Sequence, residues 1–578
     1  MKTRKLFSRI MAGVIAMILV LGMNMTALAN STLTVNGTKA GGGDVTAYKL
    51  FDRTEQTVGD DKKAVAYTLN SKYEGFFTQT GKAGEGKTGD ALSEAAYTYV
   101  AGLAGDEKKA DLSKFAADMW KWISAKTIEA DVTAPAAANK TTMTLGAGYY
   151  LIFPAGAATL KDGHNSPAIL QDVDGTAAVT VTLKSEYPTV AKKIIPTTPN
   201  TSGGITVDAI VDGTWEGNHQ MELDDPIDGE DNIAPYEAED EKAASNAAIG
   251  DIVTYQLKSK VPDMSGYQDY TFKFEDTLSK GLDLKEVVSV QVGNTKLTAK
   301  KSGINTYALT YDKDTHILTV TFNNFLDSFK EHVGKEITVV YTAALNEKAV
   351  VGTNPNTNTV KVEYSNNPKG DGKGTSEETE AKVYTFEFGI FKYSLNADGE
   401  DIASNRNPLA HAQFKLYADE EHNTEIKLVE ETGKVYRKAK DATETAAEYI
   451  ETGETGKVTI KGLKEGTYYL AETKAPDGFN KLVGDIKVEI NHLVYDDADA
   501  TQLNSYDVTY TMPGKTDSTK VTVSADANLA EIPVLNKAGS VLPSTGGMGT
   551  VVFTIAGAAI IAIMLVSSLV SKKRKRSE

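Results

Sequence analysis

The chain has 578 residues, 24% of them charged and 41% hydrophobic, the proportions of folded domains rather than of a disordered or multi-spanning chain. Cysteine is absent, which excludes disulfides, thiol nucleophiles, Cys-ligated zinc and iron–sulfur clusters. A net charge of −17 argues against an electrostatic nucleic-acid binder, and seven His argue against His-rich metal sites.

The first element is a secretory signal peptide over residues 1–29. Lys2, Arg4, Lys5 and Arg9 precede an apolar run from Ile10 to Met23, and Ala27-Leu28-Ala29 supplies small residues for cleavage. A first domain is expected over 30–187. Its one clear helical pattern runs from Glu107 to Thr127, with Leu112, Phe115, Met119 and Trp122 on one face. Elsewhere the pattern alternates with period two. Examples are AAVTVTLK, DIVTYQLKSKV, YTFKF, HILTVTF, EITVVYTA, NTVKVEY, KVTIKGL and TYYLAE. Alternating strands separated by Gly, Asn and Asp turns predict a mostly β chain of tandem β-sandwiches. Breaks at Tyr187-Pro188 and at the Gly-rich stretch 367–374 bound a middle domain over 188–384 and a third over 385–541. The middle domain carries an acidic insertion, 212–241, with twelve carboxylates and no Lys or Arg. This reads as a solvated loop. Carboxylates also suit calcium, but the spacing is not that of an EF-hand, and no metal or cofactor is assigned. Ala47–Phe51 with Gly148–Leu151 recurs faintly as Gln413–Tyr417 with Thr467–Leu470, so the first and third domains are expected to share a sheet plan.

The third domain holds the sharpest chemistry. Alternation along Thr385–Lys392 places Lys392 on the face of Phe388 and Ile390, and Glu472 shares a face with Leu470 and Tyr468. The last strand ends in Leu535-Asn536-Lys537. Burial lowers a lysine pKa and raises that of a carboxyl, so a neutral amine can attack a carboxamide that the protonated acid polarises. Ammonia leaves, a Lys–Asn isopeptide bond remains, and the strands supply the proximity. The run YYLAETKAPDGF and the terminal Leu-Asn-Lys resemble the Cna-B-type domain of Gram-positive pilins. The resemblance implies Lys392 as nucleophile, Asn536 as electrophile and Glu472 as catalyst.

The middle domain resembles the other isopeptide class of these pilins, an immunoglobulin-like sandwich. Pro188–Lys193 looks like its opening strand, Phe274–Leu278 like its acid-bearing segment and Asn358–Asn366 like its closing strand. That implies Lys192, Asp276 and Asn358, with Lys193 and Asn366 as rivals. In the first domain, aligning Tyr149-Tyr150-Leu151 with Tyr468-Tyr469-Leu470 puts Phe153 where Glu472 sits, so no such bond is expected there.

The C-terminus carries Leu542-Pro543-Ser544-Thr545-Gly546 (542–546), an uncharged apolar stretch over 551–570 and a basic tail over 571–578. Twenty residues at roughly 1.5 Å each span the hydrocarbon core as a transmembrane helix, and the basic tail stays cytoplasmic. The order is similar to the cell-wall sorting signal of Gram-positive surface proteins. It implies that sortase recognises Leu542 and Pro543, cleaves between Thr545 and Gly546, and passes the Thr545 acyl group to an amine. Related pilins place the receiving lysine in a Tyr-Pro-Lys motif. Here the position reads Tyr187-Pro188-Thr189, which leaves Lys184 and Lys193 as candidates.

The sequence therefore predicts a secreted, wall-anchored structural subunit of a sortase-assembled surface pilus. The partners implied are sortase, other pilin subunits and peptidoglycan, with no cofactor, no nucleic acid and no enzymatic activity beyond self-cross-linking. The alternative is a monomeric wall-anchored adhesin that binds a host protein or glycan.

Overall fold

The computed structural model describes residues 30–58, 62–161, 163–195, 204–217, 243–396, 399–525, 529–539 and 548–574. The signal peptide, the sorting motif 542–546 and most of the acidic insertion lie outside the described residues. The protein is mostly β, as the alternation predicts.

The N-terminal region pairs Lys62–Leu69, Asp44–Val58, Gly148–Pro154 and Ile169–Val173 in one sheet, and Asn139–Leu145, Ser31–Thr38 and Val179–Thr182 in a second. The two segments of the faint repeat are antiparallel partners here, with Tyr48 opposite Leu151. They are partners again in the C-terminal region, with Leu416 opposite Leu470.

The expected helix forms as Lys109–Ala125. Its buried stripe is Phe115, Ala116, Met119, Trp120 and Ile123, wider than the stripe read from periodicity. Trp122 is half-buried edge-on to Phe76, whereas Trp120 stacks on Phe153 at 3.6 Å and donates to Ser265 O at 2.7 Å. The helix is covered on one flank by its own sheet and on another by the 265–266 turn, so the apolar arc broadens. A second helix, Gly89–Ala101, was not expected. It buries Leu92 and Ala96 alone, too sparse a stripe to register as a period.

The middle region is a two-layer sandwich. One sheet orders Ala191–Ile195, Ile252–Lys260, Glu336–Leu345, Leu282–Val292 and Ile205–Thr206. The other runs through Thr379–Tyr384, Asn356–Ser365, Phe272–Leu278, Ile317–Phe322 and Thr306–Asp312. Tyr255, Leu257, Val339, Tyr341, Phe272, Phe274, Val360 and Val362 fill the space between the layers.

The C-terminal region repeats the two-layer plan around a separate core. Phe386–Leu395 pairs antiparallel with Lys457–Leu463 and parallel with Glu531–Leu535. The facing sheet orders Gln413–Tyr417, Gly466–Lys474, Ile486–Tyr495, Leu503–Thr511 and Ser518–Ser524. The two sandwiches touch through Ile249 N, which donates to Gly462 O at 3.0 Å, and through Asp251, which pairs with Lys464 at 2.9 Å. A final helix, Met548–Arg574, contains an apolar stretch over Val552–Lys572 that is long enough to cross a bilayer.

Candidate functional site

Two buried clusters of lysine, acid and asparagine lie inside the middle and C-terminal sandwiches.

In the C-terminal sandwich, strand 386–395 alternates so that Phe388, Ile390 and Lys392 point into the core, and Lys392 is fully buried. Strand 531–535 lies alongside with Val534 beside Lys392, and Asn536 N donates to Tyr393 O at 2.9 Å. That register brings Lys392 Nζ onto Asn536 Oδ1. Glu472 enters from the facing sheet, 3% exposed, with Oε1 2.9 Å from Lys392 Nζ and accepting from Asn536 Nδ2 at 3.0 Å. Its other oxygen accepts from Leu482 N at 2.7 Å, which pins the carboxyl. The Phe414 ring lies 5.6 Å from the amine. Burial pushes the Lys392 amine down to about 8, against the opposing pull of Glu472. One carboxyl oxygen thus touches both the nucleophile and the leaving nitrogen, and the nucleophile touches the carboxamide.

In the middle sandwich, strand 191–195 turns Lys192 inward and leaves Lys193 half-exposed on the other face. Lys192 Nζ lies 2.6 Å from Asp276 Oδ2, and Asp276 and Asn358 are fully buried. Asp276 pairs with Val360 and Leu278 with Asn358 across adjacent strands, so acid and carboxamide are diagonal neighbours on one face. Burial lowers the Lys192 amine to about 8 and raises the Asp276 carboxyl; the charge of each opposes the other's shift. Of the rivals, Lys193 faces away from this cluster. Asn366 falls beyond the strand end and donates instead to Gly41 O at 2.9 Å, a contact with the N-terminal region.

Two residues of this cluster went unnoticed in the sequence. Tyr341 OH donates to Asp276 Oδ1 at 2.9 Å and accepts from Asn358 Nδ2 at 2.6 Å. Tyr255 stacks on Tyr341 with ring centroids 5.3 Å apart, and the Lys192 amine lies 5.3 and 5.5 Å from the two rings. Alternation along EITVVYTA already places Tyr341 with Ile337 and Val339. An aromatic on a core-facing strand signals packing, and its hydroxyl chemistry depends on neighbours far away in the chain.

Phe153, the counterpart of Glu472 in the N-terminal region, is buried under Trp120. Of the two lysines considered for intersubunit linkage, Lys184 lies at the exit from the N-terminal region, half-buried, with its amine lowered by burial. Lys193 sits on the outer face of its sheet. Thr545 and the rest of the sorting motif lie outside the described residues.

The comparisons with known proteins match three stretches. Residues 249–368 match the family described as Gram-positive pilin backbone subunit 2, Cna-B-like domain. Residues 397–502 match a prealbumin-like fold domain, and residues 535–578 match the LPXTG cell wall anchor motif. Fimbrial subunit type 2 of Actinomyces naeslundii is 25% identical over 428 residues, 67% of each chain. Trypsin-resistant surface T6 protein of Streptococcus pyogenes serotype M6 is 24% identical over 303 residues, so the chain spans about half, 47%, of that relative's length. Among solved structures, the T6 backbone pilin of the same serotype is similar with a TM-score of 0.42 at 15% identity, covering 89% of this chain and 99% of that one.

Proposed function

We propose that this chain, a Gram-positive pilin backbone subunit with a cell-wall anchor, is the shaft subunit of a covalently polymerised surface pilus. Two internal bonds, Lys392–Asn536 and Lys192–Asn358, lock its sandwiches. Sortase joins Thr545 of one copy to a lysine of the next, and the last copy to peptidoglycan. The observation that carries this reading is the twice-repeated burial of a lysine, an acid and an asparagine in one hydrogen-bonded cluster inside a β-sandwich. A chain without cysteine and exposed to the outside gains from such links what other secreted proteins gain from disulfides.

The chemistry is self-modification. The buried neutral amine attacks the asparagine Cγ, the carboxyl carries one proton from the amine to the leaving nitrogen, and ammonia departs. Each lysine and asparagine is consumed, so there is no turnover.

For the joint between subunits, Lys184 is the better acceptor. Its amine is lowered by burial, it forms no ion pair among the described residues, and an acyl acceptor must be neutral. Force entering at Lys184 then passes through Lys192–Asn358 and Lys392–Asn536 to Thr545. The sandwich before Lys184 stays off that path, which suits a region where Phe153 replaces the acid.

The test is the intact mass of the full chain purified in detergent, with peptide mapping. Two bonds remove two ammonias, about 34 Da in all. The deficit should map to Lys392–Asn536 and Lys192–Asn358, and an unmodified mass overturns the cross-linking assignment. On cells, Lys184→Ala should collapse the polymer ladder in wall extracts to a single anchored species. A ladder that survives Lys184→Ala and disappears with Lys193→Ala moves the joint to Lys193.

A further inference from the structure

The two clusters differ in what holds the asparagine. In the C-terminal sandwich Glu472 touches the asparagine nitrogen directly, at 3.0 Å. In the middle sandwich no hydrogen bond joins Asp276 to Asn358 among the described residues. The Tyr341 hydroxyl stands between them, 2.9 Å from Asp276 Oδ1 and 2.6 Å from Asn358 Nδ2. Its neighbour Tyr255 is fully buried with a hydroxyl that finds no partner, and Asn358 Oδ1 is also without one. Packing alone would be served by phenylalanine. The hydroxyl of Tyr341 is the only polar bridge between the acid and the leaving nitrogen among the described residues.

We propose that Tyr341 is a catalytic residue of the middle-domain cross-link, relaying the proton that Asp276 takes from Lys192 to the departing nitrogen of Asn358. This rests on the reading that Lys192 and Asn358 become bonded. In the step, the neutral Lys192 Nζ forms a bond to Asn358 Cγ and Oδ1 takes up the carbonyl electron pair. Asp276, 2.6 Å from Nζ, accepts the proton that the amine sheds. The Tyr341 hydroxyl gives its proton to Nδ2 and recovers one from the Asp276 carboxyl. The Cγ–Nδ2 bond breaks, the carbonyl re-forms and ammonia leaves. One N–C bond is made and one broken, the proton count is conserved, and no oxidant or reductant is required. Tyr341 stands on the lysine's sheet while Asp276 and Asn358 stand on the other, so the relay also crosses the gap between layers.

The experiment follows closure of each cross-link by mass spectrometry in the full chain, refolded from denaturant in detergent micelles from a precursor kept unfolded since synthesis. In Tyr341→Phe, the Lys192–Asn358 link should close roughly 10²-fold more slowly than in the unaltered chain, the usual effect of losing one proton-transfer group. Lys392–Asn536 should close at its normal rate in the same molecules. Tyr364→Phe, which removes a buried hydroxyl that has no partner and lies outside the cluster, should leave both rates unchanged. Closure of Lys192–Asn358 at the normal rate in Tyr341→Phe overturns the relay. If the variant loses its fold, a ring-fluorinated tyrosine at 341 keeps the shape and makes the hydroxyl more acidic. A shifted rate then supports the relay, and an unshifted rate overturns it. An unaltered chain that never forms Lys192–Asn358 removes the premise itself, a result distinct from either outcome in the variant.

Discussion

In the C-terminal sandwich, lysine and asparagine stand on neighbouring parallel strands of one sheet, and the acid reaches them from the other. In the middle sandwich the lysine is alone on its sheet, and the acid and asparagine share the facing one. The two sites contain the same groups, but the bonds proposed for them would staple different things. A Lys392–Asn536 bond would tie the first strand of its domain to the last. A Lys192–Asn358 bond would tie one layer of the sandwich to the other. The acids differ to match. Glu472 has the extra methylene needed to cross from the facing sheet and meets both partners with one oxygen. Asp276 is shorter, lies beside its asparagine's strand, and meets it through Tyr341.

The largest expected effect comes from removing an acid. Glu472→Ala should abolish Lys392–Asn536 and, because that link closes a 144-residue separation, cost about 5 kcal/mol of C-terminal stability by loop-closure entropy. Calorimetry should show that transition falling while the middle one holds. Asp276→Ala should reverse the pattern. If both transitions fall together in either variant, the sandwiches are not independently locked and the comparison breaks.

Exchanging acid lengths sharpens it. Glu472→Asp withdraws the carboxyl by one methylene, with no tyrosine to fill the gap. Closure of Lys392–Asn536 should slow by 10²-fold or more, on the order of a lost acid–base group. Equal rates for Glu472→Asp and the unaltered chain would show that reach is not what separates the two acids.

The pH profile should be shared. Both amines are lowered by burial to about 8, and attack requires the neutral amine. Below that pH the amine carries a proton and cannot attack, so closure should slow by about tenfold per unit as pH falls in both sandwiches. Rates of refolding-coupled closure between pH 6 and 10, roughly the range that brackets this limb, would check it. A rate that does not fall below that point would mean that deprotonation of the amine does not limit the attack.

The smallest effect concerns the N-terminal sandwich. It lacks the acid, and its core is closed by the Trp120–Phe153 stack. It should be the first region cut by protease and the first to melt, with a midpoint unmoved by Glu472→Ala or Asp276→Ala. A shift of that midpoint would reveal coupling across the 265–266 turn that Trp120 touches.

Much of this was legible in the sequence. Period-two alternation located the strands Ile252–Lys260, Phe272–Leu278, Ile317–Phe322, Glu336–Leu345, Asn356–Ser365, Lys457–Leu463 and Gly466–Lys474, because a strand with one buried face repeats every second residue. It did not pick out Leu282–Val292, Ile486–Tyr495 or Leu503–Thr511. The same parity turned Lys392 and Glu472 inward. At Lys192 and Lys193 parity could not choose, since Val190 and Ile194 flank one and Ala191 and Ile195 flank the other. Ile195 in fact packs with Val288 and Val340 in a separate small cluster, so both faces of that strand are apolar. Asn358 and Asn366 posed the same problem. The strand ends at Ser365, and the backbone beyond it carries Asn366 to Gly41.

The chain's own residues thus specify its class, its cell-wall anchor motif, the alternation of many of its strands and the chemical types of its buried lysine, acid and asparagine groups. Each of these is written in neighbouring residues, within one strand or one motif. Which lysine meets which asparagine, which sheet supplies the acid and whether a tyrosine must stand between them follow from pairings between segments far apart in the chain. The relay of Lys192, Asp276, Tyr341 and Asn358 draws on four strands in two layers. A local pattern can say that each of these side chains faces inward, but their meeting is set by register and by the separation of the packed sheets.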